Sequence, residues 1–272
     1  MIKIVEKVTY KLLGERIFYR LLGQFRNVQN RFGRQTLNKY LFILSPPYCG
    51  STLLNQIISQ SKHVSVNNPL HSREGQQLPE IKSMTYYFKR RWEPELPFDW
   101  KYRYSVWHKY WDRRKKILLE KSPANLVRAK QIPDYFNPSY FIIMVRNPYA
   151  HCEGLMRRNN WPAKRAAAHV MKTLYWQREN VNYLDNSLCV TYEELTTNTV
   201  KTVSRIQALL PELEEINTKR KFSAHNFQKK KMHIQNLNEQ KIQKIKTDDL
   251  KQMNDVFAKQ PEVLSFFGYK MI

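Results

Sequence analysis

The stretch Ser45-Pro-Pro-Tyr-Cys-Gly-Ser-Thr52 carries the first chemistry legible in the chain. Gly50 lets the backbone approach a ligand closely. A helix opening behind it turns the N–H groups of Gly50, Ser51, Thr52 and Leu53 towards an anion, and the helix dipole adds to the attraction. The hydroxyls of Ser51 and Thr52 are further donors. Set on the nucleotide-binding pattern G-x-x-x-x-G-K-[ST], Gly50 and Thr52 fit, while Ser45 replaces the first glycine and Ser51 the lysine. That lysine shares with Mg²⁺ the neutralisation of β- and γ-phosphates. Its replacement argues against an ATPase or kinase and for a less charged donor terminus.

The loop needs a strand before it and a helix after it. Tyr40–Ser45 is a short apolar run ended by Pro46-Pro47, and Leu53, Leu54, Ile57 and Ile58 share one helical face. His63–Asn67 is a second short strand, Lys116–Glu120 a third, Tyr140–Val145 the strongest and Leu188–Thr191 a fifth. Trp161–Tyr183 reads as a helix with Pro162 near its start, and another runs from the fifth strand to about Leu210. Thr247 caps a last helix, with Asp248 and Asp249 in its first turn. Residues 68–116 are irregular and rich in Trp, Tyr and Arg, an insertion that shapes a pocket. Strands alternating with helices predict an α/β, three-layer P-loop-like fold. Its central parallel sheet has about five strands, with ligands at their carboxyl ends.

A chain of 272 residues with 42% apolar and 13% aromatic content has ample material for one globular domain spanning 1–272, which excludes wholesale disorder. Within it lie a basic helical segment at 1–39, the insertion and a basic C-terminal part at 219–272. The formal charge of +23 concentrates anions of many kinds and names no partner. Cys49, Cys152 and Cys189 make no disulfide framework, and no apolar run is long enough for a membrane span, so cytoplasm is the expected compartment. Val5, Val8, Leu12, Leu13, Ile17, Phe18, Leu21, Leu22 and Phe25 recur near helical spacing among basic residues. Such a helix either packs on its own domain or lies on an anionic membrane.

Two further segments stand in order behind the loop: Glu120-Lys-Ser-Pro123 after the third strand and Val145-Arg-Asn-Pro148 after the fourth. With the loop, they resemble the sulfotransferases that use 3′-phosphoadenosine 5′-phosphosulfate (PAPS), especially their Golgi glycan and bacterial branches. Val190-Thr-Tyr-Glu-Glu-Leu195 and the closing Phe267-Gly-Tyr269 fit the same pattern. The resemblance spans roughly residues 40–270. It implies that Tyr48, Cys49, Gly50, Ser51, Thr52 and Leu53 hold the 5′-phosphosulfate, that Arg146 grips the 3′-phosphate, and that Tyr192 contacts the adenine. Tyr48 stands where the family has arginine or lysine, and Gly154 where it has a serine at the 3′-phosphate. A cysteine in an anion loop is also found in tyrosine phosphatases, which pair it with an arginine six residues on. Asn55 holds that position, which excludes them.

Sulfuryl transfer needs a base for the attacking hydroxyl and positive charge at the bridging oxygen. Lys121 is the expected cation. The glycan branch that the chain resembles has a catalytic glutamate shortly after the second strand, which implies Glu74 as the base, with His71 as second choice. Lys229, Lys230 and Lys231 are candidates for closing over the nucleotide or attracting an acidic acceptor; Trp92, Trp100, Trp107 and Trp111 are candidates for stacking on sugars. The expected acceptor is a hydroxyl, in the first instance a carbohydrate's, and no metal motif is found. A sulfotransferase-like protein impaired in catalysis is the first alternative, motivated by Tyr48 and Gly154. A nucleic-acid-binding protein is a second, motivated by charge, yet no zinc spacing, helix-turn-helix or RNA-binding signature accompanies it.

Overall fold

Strands buried on both faces must be apolar throughout rather than alternating, and the sheet obeys this. A computed structural model describes residues 2–34, 36–84, 90–223 and 231–272, with side chains from Gly14 onward except that of Ser223. Lys229 and Lys230 lie outside the described residues. Strands β1 (Lys39–Leu44), β2 (Val64–Val66), β3 (Ile117–Glu120), β4 (Ser139–Val145) and β5 (Ser187–Thr191) form one parallel sheet in the order β2-β3-β1-β4-β5. The chain leaves β1 towards one edge and returns to its other side with β4. A switch point therefore lies at the carboxyl end of β1, where open α/β sheets bind ligands.

Period-two alternation divides the core. Tyr40, Phe42, Phe141 and Ile143 face Trp107, Trp111 and Phe136, while Leu41, Ile43, Ile142 and Met144 face Leu54, Ile57, Ile58 and Ile206. Helix α1 (Ile2–Phe32) is broken at Gly14, whose φ of 76° is outside the helical range. It lays Phe18, Tyr19 and Leu22 on the first of these faces. Helix α2 (Ser51–Ile58) packs on the second face.

Several expected boundaries move. The insertion at 68–116 is not irregular: it contains the short helix α3 (Pro79–Lys82) and helix α4 (Trp100–Tyr110). Trp100, Arg103, Val106, Trp107 and Tyr110 form the buried face of α4, and the inward-facing Arg103 hides its period. The Arg103 guanidinium carbon sits 3.8 Å from the Phe98 ring centroid. Trp100, Trp107 and Trp111 are thereby core residues, and of the four expected stacking tryptophans only Trp92 reaches the cavity described below. After β4 come α5 (Pro148–Asn159) and α6 (Ala163–Tyr183), the latter starting two residues later than expected, with Pro162 outside it as N-cap. The helix expected after β5 is two, α7 (Tyr192–Thr197) and α8 (Thr199–Leu209), divided at Asn198. A two-residue hairpin, β6 (Phe222–Ser223) with β7 (Lys231–Met232), precedes α9 (Asn238–Ile242), α10 (Thr247–Phe257) and α11 (Pro261–Phe266). Thr247 is the first residue of α10 rather than its cap. Met253, Phe257, Val263 and Leu264 from these last helices close over α6.

Candidate active site

The carboxyl ends of the strands converge on a cavity of about 810 Å³, lined from the β1–α2 loop, the segment after β2, the ends of β3 and β4, and residues 232–241. Gly50 opens α2 in a left-handed conformation, φ 91°. A Cβ there would also sit 2.7 Å from the Tyr192 ring, so the loop lies flat on Tyr192 only because residue 50 has no side chain. The N–H groups of Gly50, Ser51 and Thr52 make no hydrogen bond among the described residues. That of Leu53 does not join them: it donates to the Gly50 carbonyl at 2.9 Å, a tight first turn. The Cys49 side chain is fully buried, away from the cavity, and burial pushes its thiol up to about 12. Cys49 is the one of the expected loop residues 48–53 that does not line the cavity.

Lys121, the first residue after β3, brings the expected catalytic pair together. Its ammonium is 3.2 Å from Glu74 Oε1 and 3.3 Å from Thr52 Oγ1, with 2% of the side chain exposed. Burial pulls its pKa below the ordinary lysine value, and the Glu74 carboxylate opposes that pull. Gln76 Nε2 donates to the other oxygen of Glu74 at 2.5 Å. His71 is exposed and lies outside the cavity lining, which removes it as the alternative base.

The residues around Lys121 explain the Glu-Lys-Ser-Pro run. Glu120 points the opposite way into the protein and accepts hydrogen bonds from Asn67 Nδ2 (2.6 Å), the Gly75 N–H (3.2 Å), Asn125 Nδ2 and the Ser122 hydroxyl. Ser122 Oγ accepts from the Gln76 N–H at 2.9 Å. Glu120 and Ser122 thus fasten the segment bearing Glu74 to the end of β3, next to Lys121. Burial, resisted by these donors, lifts the Glu120 pKa to about 7.

Arg146, at the end of β4, is 5% exposed. Its Nε donates to Asn238 Oδ1 at 2.8 Å, its Nη1 to the Tyr48 carbonyl at 2.9 Å, and its guanidinium carbon lies 3.9 Å from the Tyr192 ring centroid. Nη2 is buried with no partner among the described residues, a donor left over beside the cavity. Tyr192 is 5% exposed, and its hydroxyl donates to the Gln235 carbonyl and accepts from the Leu237 N–H. It is a post between the loop, Arg146 and the 235–237 segment.

The pattern missed two residues. Glu193 receives the Asn147 N–H (2.9 Å), Asn238 Nδ2 and the Tyr269 hydroxyl (2.9 Å), and so fixes the Asn238 that holds Arg146. Glu194 instead completes a capping box with Thr191. The second is Lys241, which lines the cavity and pairs with Glu153 at 2.8 Å. Gly154 contributes no group there. A Cβ on it would lie 3.0 Å from Tyr48 Cβ and 3.3 Å from Lys241 Nζ, so the missing side chain makes room for both. Lys241 lies 92 residues beyond Tyr149 in a generally lysine-rich stretch, with no spacing signal to single it out. Tyr48 lines the cavity too, its hydroxyl donating to Asn159 Oδ1 at 2.8 Å.

A model of the sulfotransferase family matches residues 41–215, from within β1 to beyond β5, and the chain belongs to that family. Two solved structures are similar in fold. A sulfotransferase domain from the curacin biosynthetic pathway is 16% identical over 87% of this chain and 99% of its own, with a TM-score of 0.50. Sulfotransferase STF9 from Mycobacterium avium is 11% identical over 93% and 82%, with a TM-score of 0.52. No curated protein sequence matches at a significant level.

Proposed function

We propose that this sulfotransferase moves the sulfuryl group of PAPS to a carbohydrate hydroxyl. The observation that carries the reading is Lys121 Nζ, held between Thr52 of the anion loop and Glu74 at the carboxyl end of the sheet. The cavity suits the donor: Gly50 leaves a bare backbone cradle, and the unpartnered Arg146 Nη2 suits a phosphate oxygen. In this scheme Glu74 takes the proton of the attacking hydroxyl as its oxygen bonds to sulfur. The bond from sulfur to the phosphate oxygen breaks, and 3′-phosphoadenosine 5′-phosphate leaves. Lys121 and the N–H groups of Gly50, Ser51 and Thr52 meet the charge growing on that bridging oxygen. Arg146, with Lys241 nearby, holds the 3′-phosphate.

Calorimetric titration with 3′-phosphoadenosine 5′-phosphate tests the donor half, with ATP and adenosine 5′-phosphate as controls. Selective binding is expected. Arg146→Ala should weaken it on the order of 100-fold, and Lys241→Ala about tenfold. Absence of selective binding by the folded wild type would sink the reading. Selective binding with no turnover across an acceptor screen would favour a nucleotide-binding protein without catalysis, the alternative supported by Tyr48 in place of a loop cation.

The carbohydrate half rests on the remaining wall of the cavity, where Trp92, Trp161, His169, Arg91 and Arg165 gather. The His169 ring meets Trp92 and Trp161 edge-on, at 4.9 and 5.3 Å between centroids. Burial holds its pKa down to about 4, so it is neutral at physiological pH. Aromatic faces with polar edges suit sugar rings, and the two arginines suit an acidic one. With an active acceptor in hand, Trp161→Ala should raise the acceptor KM about tenfold while leaving donor-product affinity unchanged. An unchanged acceptor KM would place the acceptor elsewhere.

A further inference from the structure

Helix α1 presents two apolar faces, and the domain covers only one. Phe18, Tyr19 and Leu22 are buried, whereas Ile17, Leu21, Phe25, Val28 and Phe32 are 48%, 43%, 47%, 57% and 79% exposed. At about 100° per residue these five fall within roughly 80° of one another, a continuous stripe beside the buried face. Exposed Arg16, Arg20 and Arg31 border the stripe on its solvent side. Between Gly14 and Arg34 the sole acidic residue is Glu15, and it turns away from the stripe to Lys82 at 3.6 Å. Arg26 also faces the domain, 3.2 Å from Asp112.

We propose that this stripe seats the protein on an anionic lipid surface. The apolar side chains enter the boundary between headgroups and acyl chains, and the arginines meet lipid phosphates and carboxylates. Charge complementarity selects this occupant. The charged residues along the edge of the stripe are all basic, on a chain of formal charge +23, and a second copy would bring two such edges together. Among the described residues no helix is long and apolar enough to cross a membrane, so the contact is with the surface. The stripe residues do not line the active-site cavity, which makes nucleotide affinity an independent control.

Co-sedimentation of the full chain with vesicles tests this. Wild-type protein is expected to pellet with phosphatidylcholine vesicles containing about 30 mol% phosphatidylserine. Binding should be at least about tenfold weaker on pure phosphatidylcholine and for Leu21→Glu/Phe25→Glu on the anionic vesicles. Val28→Glu/Phe32→Glu, placed further along the same stripe, should lose binding likewise. Arg16→Glu/Arg20→Glu/Arg31→Glu should weaken it and reduce its salt sensitivity. Melting temperature and affinity for 3′-phosphoadenosine 5′-phosphate should stay at wild-type values in all of them. Three results would overturn the proposal: wild-type protein left in the supernatant, apolar variants that bind as well as wild type, or a solution dimer that the apolar variants dissociate.

Discussion

Replacing Lys121 with alanine is expected to lower kcat/KM for sulfuryl transfer by about 10³-fold while leaving the affinity for 3′-phosphoadenosine 5′-phosphate within a few-fold of wild type. The ammonium is held in a water-poor position by Glu74 and Thr52, where its field is little screened. Its worth appears only when charge develops on the bridging oxygen, so the loss belongs to the transition state rather than to product binding. Glu74→Gln should cost about 10²- to 10⁴-fold, since it keeps the size of the group and its contact with Lys121 but cannot accept the proton. The two losses should not add, because each residue orients the other across 3.2 Å. Single-turnover rates and product titrations on the two single variants and the double variant would measure this. A Lys121→Ala enzyme with undiminished turnover would remove the ammonium from the mechanism.

Glu120→Ala is the substitution with the largest expected effect on stability, about 3–5 kcal/mol, or roughly 10 °C in melting temperature. It would leave Asn67 Nδ2, Asn125 Nδ2, the Ser122 hydroxyl and the Gly75 N–H without their shared acceptor in a site closed to water. Gly75→Ala should act in the same direction by another route. Its methyl group would overlap Glu120 Oε2 and come 2.6 Å from Trp107 Nε1 and 2.7 Å from Asn67 Nδ2. Glu120 also confers a pH dependence of definite sign. Its folded pKa, about 7, exceeds the ordinary 4.5. The proton it binds therefore favours the folded state fully below about 4.5, and that contribution is lost as pH rises through about 7. A difference of this size corresponds to about 3 kcal/mol. Thermal unfolding of wild type and Glu120→Gln between pH 5 and about 8 should show the wild type losing ground to the non-titrating variant as pH rises. Parallel curves would mean that Glu120 keeps an ordinary pKa in the folded protein.

How much of this was written in the sequence differs from residue to residue. The strands were legible because each is a continuous apolar run, and burial on both faces of a parallel sheet demands that composition. The loop was legible because Gly50, Ser51 and Thr52 sit between such a run and a helical face, a local arrangement that needs no distant partner. Lys121 and Arg146 stand directly after strand ends, which a parallel sheet gathers at one edge; their roles, and Glu74 as the base, could be named only through the resemblance to the sulfotransferases. Helix α4 was hidden because an arginine occupies its buried face, and only the stacking of Arg103 on Phe98 makes that tolerable. The split of α1 into a packed face and an exposed one was equally invisible, since nine apolar residues at helical spacing do not say which of them meet the domain.

The sequence by itself determined the parallel sheet, the anion loop and the identity of the residues placed at the strand ends, since these depend on local pattern and chain order. Tertiary structure alone decided what those residues touch. It turned the Cys49 thiol into the core and set Glu193 behind Asn238 and Arg146. It also delivered Lys241 to the space that Gly154 leaves open. Contacts such as those of Asn238 with Glu193, 45 positions away, and with Arg146, 92 positions away, follow from how helices pack on the sheet, and no short-range spacing in the chain encodes them.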